Sequence, residues 1–330
     1  MSAAAVVRAL RDPDFVATFD GVQWNGVIAA ARAERLIGTL ALRVDDRQVP
    51  DAVRPILADA RREAGREARQ ALWEADRAAE ALADLDVPVV LLKGTAYAAA
   101  ELWAGQGRFI GDLDILVPRA AMKAVEDRLI RAGWEWVKDD PYDDAYYRQW
   151  MHELPPLIHR DRDRMIDVHH TILPLTARQT PDAEAMLEDA VPITDGLWVL
   201  TPEDRVCHAV AHMLADGDLA GGLRNLWDIH CLLAEVEPDR LDRRAARHSL
   251  VPHVRQARRL ADRLYGEGRA RLTLWDRLVL LRLLARDGWG REQRKMLRFA
   301  FYIRSHWLRM PPMMLARHLL TKWRKGHRPA

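Results

Sequence analysis

Between Leu91 and Val117 the chain reads LLKGTAYAAAELWAGQGRFIGDLDILV, an order of residues that few architectures accommodate. The run VPVVLLKG predicts a strand closing in a glycine turn, Thr95–Trp103 a helix, and Arg108–Val117 a second strand. Strand, turn, helix and strand in succession define an α/β unit. Asp112 and Asp114 stand two residues apart on the second strand, so both carboxylates are expected on one face. Carboxylates held together repel each other and lose hydration, a cost that Mg²⁺ or Mn²⁺ would offset. The plainer alternative is an acidic strand end facing water.

The flanks carry a different periodicity. Upstream, apolar residues recur at helical spacing from Val22 to Leu42 and from Ile56 to Leu82, the latter with one apolar stripe opposite a charged face. Downstream, Pro118 opens an amphipathic helix expected to end at Gly133. Residues 151–174 hold two extended segments, MHELPPLIHR and RMIDVHHTIL, parted by the polar turn DRD, which predicts a hairpin packed on the sheet. TPED from Thr201 resembles a capping box, with Asp204 in the usual Glu position. It begins a helical stretch running almost to residue 330, with a break at Pro311–Pro312.

The expected fold is therefore an α/β core with a short mixed sheet, flanked by N-terminal helices and a C-terminal helical domain. The expected boundaries are a helical region at 1–85, the α/β domain at 86–200 and a helical domain with a basic aromatic tail at 201–330. A net charge of +2 argues against a chain that binds nucleic acid over its whole surface. Cys207 and Cys231, the only cysteines, are far apart beside apolar helical residues, which argues against a disulfide framework or a cysteine zinc site. No leader pattern and no uncharged apolar run of about 18 residues is present, so a cytoplasmic protein is expected.

Asp167 stands on an expected strand between Ile166 and Val168, where an unpaired carboxylate is costly and a hydrogen-bond, cationic or metal partner is needed. His169 shares its face while His170 points away, and His152 and His159 are more weakly placed. His208 and His212 are spaced to share a helix face, but the residues between them lack the glutamate of a zinc-protease motif. A polar seam against the α/β domain is the better reading. Arg224 and Asp228 are spaced for an ion pair. From Arg291 to Arg328 eleven Lys or Arg accompany one acid, Glu292, interleaved with Phe299, Phe301, Tyr302, Trp307 and Trp323. That tail suits a helix docking its aromatics, peripheral contact with a membrane, or RNA.

LLKGTAYA, Arg108, GDLDILV, the helix ending RAGW, IDVHH, LTPED and LRNLWDIH, in this order, resemble the nucleotidyltransferase superfamily typified by DNA polymerase beta. The likeness is greatest to its uncharacterised bacterial nucleotidyltransferases and spans roughly residues 86–235. The resemblance implies that Asp112, Asp114 and Asp167 bind Mg²⁺ or Mn²⁺ and act in catalysis, and that Gly94–Thr95 contact the triphosphate of an NTP. Residue chemistry is compatible with that: Gly94 permits close backbone approach, and the Thr95 hydroxyl can donate to a phosphate oxygen. Lys93, Arg108 and His169 are further candidates for the nucleotide cleft. Relative to the superfamily, the interval from Thr95 to Asp112 is long and Gly111 stands where a serine often precedes the first Asp.

The implied reaction is metal-dependent transfer of a nucleoside monophosphate from an NTP to an unidentified hydroxyl or phosphate acceptor, releasing pyrophosphate. The acceptor could be a small molecule, a sugar derivative, a protein side chain or RNA. A non-catalytic nucleotide sensor or scaffold and a toxin-like protein-modifying enzyme are the other readings.

Overall fold

Among the described residues, seven short strands, all between Val89 and Val199, form one mixed sheet. They are β1 (Val89–Leu91), β2 (Leu113–Leu116), β3 (Trp134–Trp136), β4 (Leu157–His159), β5 (Met165–His169), β6 (Val191–Thr194) and β7 (Leu197–Val199), in the spatial order β3-β4-β5-β2-β1-β7-β6. The central strand β2 runs antiparallel to β1 and parallel to β5. Every residue of β2 is buried, Asp114 included, as in a strand covered on both faces. The computed structural model describes residues 2–138, 140–194, 196–311, 313 and 315.

Helices α1 (Ser2–Arg11), α2 (Gly21–Ala33), α3 (Ile37–Arg43) and α4 (Arg54–Leu82) precede the sheet. α4 buries Leu57, Ala60, Ala64, Ala71, Ala75, Ala78 and Leu82, the apolar stripe read from its spacing, and packs against β2 and β7. Its buried Glu74 accepts two bonds from Arg162 Nε, at 2.9 and 3.0 Å, which ties the helix to the β4–β5 turn. Between and after the strands come α5 (Lys93–Ala99), α6 (Met122–Arg131), α7 (Pro141–Trp150) and α8 (Ala183–Glu188). α9 (Pro202–Val210), α10 (Gly222–Leu233), α11 (Pro238–Arg247), α12 (Val251–Leu264), α13 (Leu274–Leu283) and α14 (Lys295–Arg309) complete the described chain. One hydrophobic core runs through all of this, from Ala3 to Phe301.

The sheet, the hairpin and the helical flanks agree with the sequence reading, whereas several boundaries differ. The expected helix 22–42 is two helices, because Arg35 takes a left-handed conformation (φ 53°) and Leu36 N–H bonds back to Ala31 O at 2.7 Å. The helix expected over Thr95–Trp103 stops at Ala99 for the same reason. There Glu101 (φ 53°) is left-handed, Leu102 N–H donates to Tyr97 O and Glu101 N–H to Ala98 O. Both are Schellman closures at non-glycine residues. The second strand begins at Leu113, not Arg108. The residues before it form a loop packed on α3, where a Cβ on Gly107 (φ 66°) would come within 2.5 Å of the Gly38 backbone. This loop accounts for the long interval between Thr95 and Asp112.

At α9 half of the expected capping box forms. Thr201 Oγ1 accepts from Asp204 N–H, but the Asp204 carboxylate turns inward to Arg244 at 2.5 Å and His248 at 2.8 Å.

Candidate functional site

The register of the central strands places Asp114 directly beside Asp167, since Leu113 to Leu116 of β2 pair in parallel with Ile166 to His169 of β5. Asp112 lies just before β2 in an exposed bend rather than within the strand. It nonetheless meets the other two: one carboxylate oxygen from each of Asp112, Asp114 and Asp167 lies within 4.8 Å of the others.

Their environments differ sharply. Asp114 is 2% exposed, and its Oδ1 accepts from Lys93 Nζ at 2.5 Å and lies 3.0 Å from His169 Nε2. Burial opposes its ionisation, but Lys93 and then His169 outweigh burial and hold its pKa well below the usual carboxylate range. Both partners use Oδ1, so neither ties the second oxygen. Asp167 has the opposite balance. Its Oδ1 is buried with no hydrogen-bond partner among the described residues. Burial, followed by repulsion from Asp114 and Glu153, pushes its pKa up to about 7. An unpartnered carboxylate oxygen beside two more carboxylates is a donor set suited to a hard divalent cation.

Lys93 reaches Asp114 from a left-handed backbone (φ 48°) at the first turn of α5, a conformation that costs a lysine about 1 kcal/mol or more. Burial works against its charge, but Asp114 first, with Asp112 and Asp167, keeps the ammonium strongly protonated. His169 faces the cleft as its alternation with Asp167 implies, and His170 points away to Met151 O at 3.3 Å. His159 is held by Trp134 and by Ala132 O in the β3–β4 region.

The glycine turn differs from a simple open cradle. A Cβ on Gly94 would sit 2.7 Å from Arg108 Nε, so Arg108 itself covers the glycine. Thr95 is 1% exposed, and its hydroxyl has no partner among the described residues. Arg108 is ion-paired with buried Asp228 of α10, which also accepts from Arg224 at 3.1 Å. Arg224 in turn donates to Thr39 of α3. Arg108 thus anchors the loop before β2 to helices on both flanks.

Several residues at the cleft were not singled out by sequence. Glu153 forms an isolated β-bridge with His169, and its Oε2 lies 3.5 Å from His169 Nδ1. The weakly placed His152 packs against His169, with ring centroids 5.2 Å apart and the planes tilted by 33°. From the helical side, Ala211–Asp216 forms a π-turn after α9, a wider winding often found at functional sites. His208 and His212 flank that junction, and burial followed by the Lys93 charge lowers both of their pKa values. Arg309 at the end of α14 pairs with Asp216 at 2.6 Å and adds a cation that sequence reading had left in the tail. A separate cavity of about 380 Å³ opens beside Gly111, lined by Arg32, Arg35, Glu63 and Phe109 among others.

In the tail, Phe301 is buried and stacks on Trp275, whereas Phe299, Tyr302 and Trp307 keep exposed surface. Pro312, Met314 and residues 316–328, with Trp323, lie outside the described residues. Among the described residues no helix is long and apolar enough to cross a membrane.

A family model described as an uncharacterised nucleotidyltransferase matches residues 20–266. No curated protein matches the chain.

Proposed function

Since the chain belongs to this uncharacterised nucleotidyltransferase family, we propose that the cleft transfers a nucleoside monophosphate from an NTP to an acceptor hydroxyl or phosphate. The observation that carries this reading is the in-register pair Asp114 and Asp167 on adjacent central strands, with Asp112 beside them and one Asp167 oxygen unpartnered. Asp112, Asp114 and Asp167 would hold Mg²⁺ or Mn²⁺, which when bound neutralises polyphosphate charge and that of the departing pyrophosphate. Lys93, already charged at the cleft floor, supplies a cation to the polyphosphate. The acceptor oxygen forms a bond to the alpha phosphorus as the bond to the bridging oxygen of pyrophosphate breaks. Asp167, beside Asp114 on the neighbouring strand, would help activate an acceptor hydroxyl by taking its proton. The cavity beside Gly111, lined by two arginines, three acids and Phe109, supports a small polar acceptor.

Pyrophosphate release from each NTP, with Mg²⁺ present and absent and a pool of small-molecule acceptors supplied, tests this reading. Release that needs Mg²⁺ and disappears in Asp112→Asn supports it; release indifferent to both overturns it. A nucleotide sensor on the same fold is favoured by one observation, the covering of Gly94 by Arg108. It would bind NTP without releasing pyrophosphate.

Metal affinity should also depend on pH. Below about pH 7 Asp167 holds a proton that a cation must displace, so Mg²⁺ affinity should weaken about tenfold per pH unit below 7 and level off above it. Calorimetric titration between pH 5.5 and 8.5 checks this. A flat profile would remove Asp167 from the metal ligands.

A further inference from the structure

Beside the three aspartates the structure holds a second group of different chemistry. One nitrogen from each of His152 and His169 and one oxygen of Glu153 lie within 4.8 Å of one another. His169 Nδ1 is 3.5 Å and His152 Nε2 is 3.7 Å from Glu153 Oε2. Two ligands bound about 2.1 Å from a tetrahedral Zn²⁺ are separated by about 3.4 Å, close to both spacings. The His169 side chain is 3% exposed, and its buried Nδ1 has no hydrogen-bond partner among the described residues.

His169 is also oriented for this use. Its Nε2 lies 3.0 Å from the Asp114 carboxylate, which can only accept, so Nε2 carries the hydrogen. That leaves Nδ1 facing the Glu153 carboxyl at 3.5 Å, where a proton or a metal cation between the two atoms would satisfy both. A carboxylate holding the far nitrogen of a metal-bound imidazole is a common supporting arrangement, and here Asp114 is that carboxylate.

We propose that His152, Glu153 and His169 form a binding site for a borderline transition-metal cation, Zn²⁺ or one of similar preference, separate from the site for Mg²⁺. Two imidazoles and one carboxylate favour such an ion over Mg²⁺, and three protein ligands leave a coordination position for solvent. The bound ion would fix His169 and through it the orientation of Asp114, making the three ligands positioning residues. The proposal rests on these three side chains and stands whether or not nucleotidyl transfer is the reaction.

The test uses the full chain stripped by a chelator and titrated with Co²⁺ as a spectroscopic stand-in for Zn²⁺, under a large excess of Mg²⁺. One equivalent should bind, give visible ligand-field bands of a nitrogen-containing site, and be displaced by Zn²⁺. Affinity should fall by about tenfold or more in Glu153→Gln and in His152→Ala and persist in Asp112→Asn and Asp167→Asn. Wild-type protein that fails to bind Co²⁺ under excess Mg²⁺ overturns the proposal irrespective of how any variant folds. So does binding lost in Asp167→Asn but kept in Glu153→Gln, which would place the ion on the aspartates. Wild-type protein that binds Co²⁺ as expected but releases no pyrophosphate from any NTP would count against the reaction, not against this site.

Discussion

Asp167→Asn is expected to stabilise the metal-free protein while lowering pyrophosphate release by about a thousandfold, two effects of opposite sign from one atom change. Burial first, then Asp114 and Glu153, hold the folded-state pKa near 7, against 3.8 for an unperturbed carboxyl. The unfolded chain therefore gives up this proton near pH 4 and the folded chain near pH 7. Stability from the protonated form is complete at acid pH and is lost as pH rises through that interval. About three pKa units correspond to roughly 2–4 kcal/mol at pH 8 once the partial exposure of the side chain is allowed for. Asparagine removes the titration, so urea unfolding with a chelator present should show the variant gaining on wild type from pH 5 to pH 8. Millimolar Mg²⁺ should narrow or reverse the difference, because only wild type retains the third carboxylate. A variant less stable than wild type at pH 8 without metal, with turnover intact, would contradict both roles.

The second large effect is structural. Asp228→Asn is expected to cost about 3–5 kcal/mol, because it leaves the Arg108 and Arg224 guanidiniums near each other in a buried site without the carboxylate that joins them. The loss should reach the cleft, since Arg108 belongs to the loop that delivers Asp112 and packs over Gly94. Replacing all three with apolar residues of similar size should recover much of the stability but not the position of Asp112. Thermal unfolding and Mg²⁺ affinity measured on both variants separate these consequences. A shift below about 1 kcal/mol in Asp228→Asn would show that the pair behaves as a solvated one.

The parts of this arrangement that were legible in sequence are those governed by local pattern. The apolar runs around Val90 and Ile115 read as strands, the stripe of α4 as a long helix, and the alternation of β5 put Asp167 and His169 on one face. Helix ends were less legible where a left-handed residue is not glycine. Arg35 and Glu101 close their helices through backbone bonds that any side chain can accompany at modest cost, so no residue type announces them. Glu153 was missed because it joins His169 through a single bridge rather than a strand, and an acid within MHELPP carries no periodic signal. Arg108 read as a cleft residue, but its partner Asp228 lies 120 residues away, a contact that only the folded chain reveals. Arg309 likewise acquires its place beside Asp216 through the packing of α14, not through its neighbours in the tail.

The most direct test is a crystal of the protein with Mn²⁺ and a non-hydrolysable NTP, read by anomalous scattering. A Mn²⁺ peak is expected about 2.1–2.3 Å from carboxylate oxygens of Asp112, Asp114 and Asp167, with the polyphosphate against it and the Lys93 ammonium within reach of a phosphate oxygen. A structure in which nucleotide is bound, the three carboxylates hold no anomalous peak, and Lys93 remains closed on Asp114 would contradict the assignment of this cleft to metal-dependent nucleotidyl transfer.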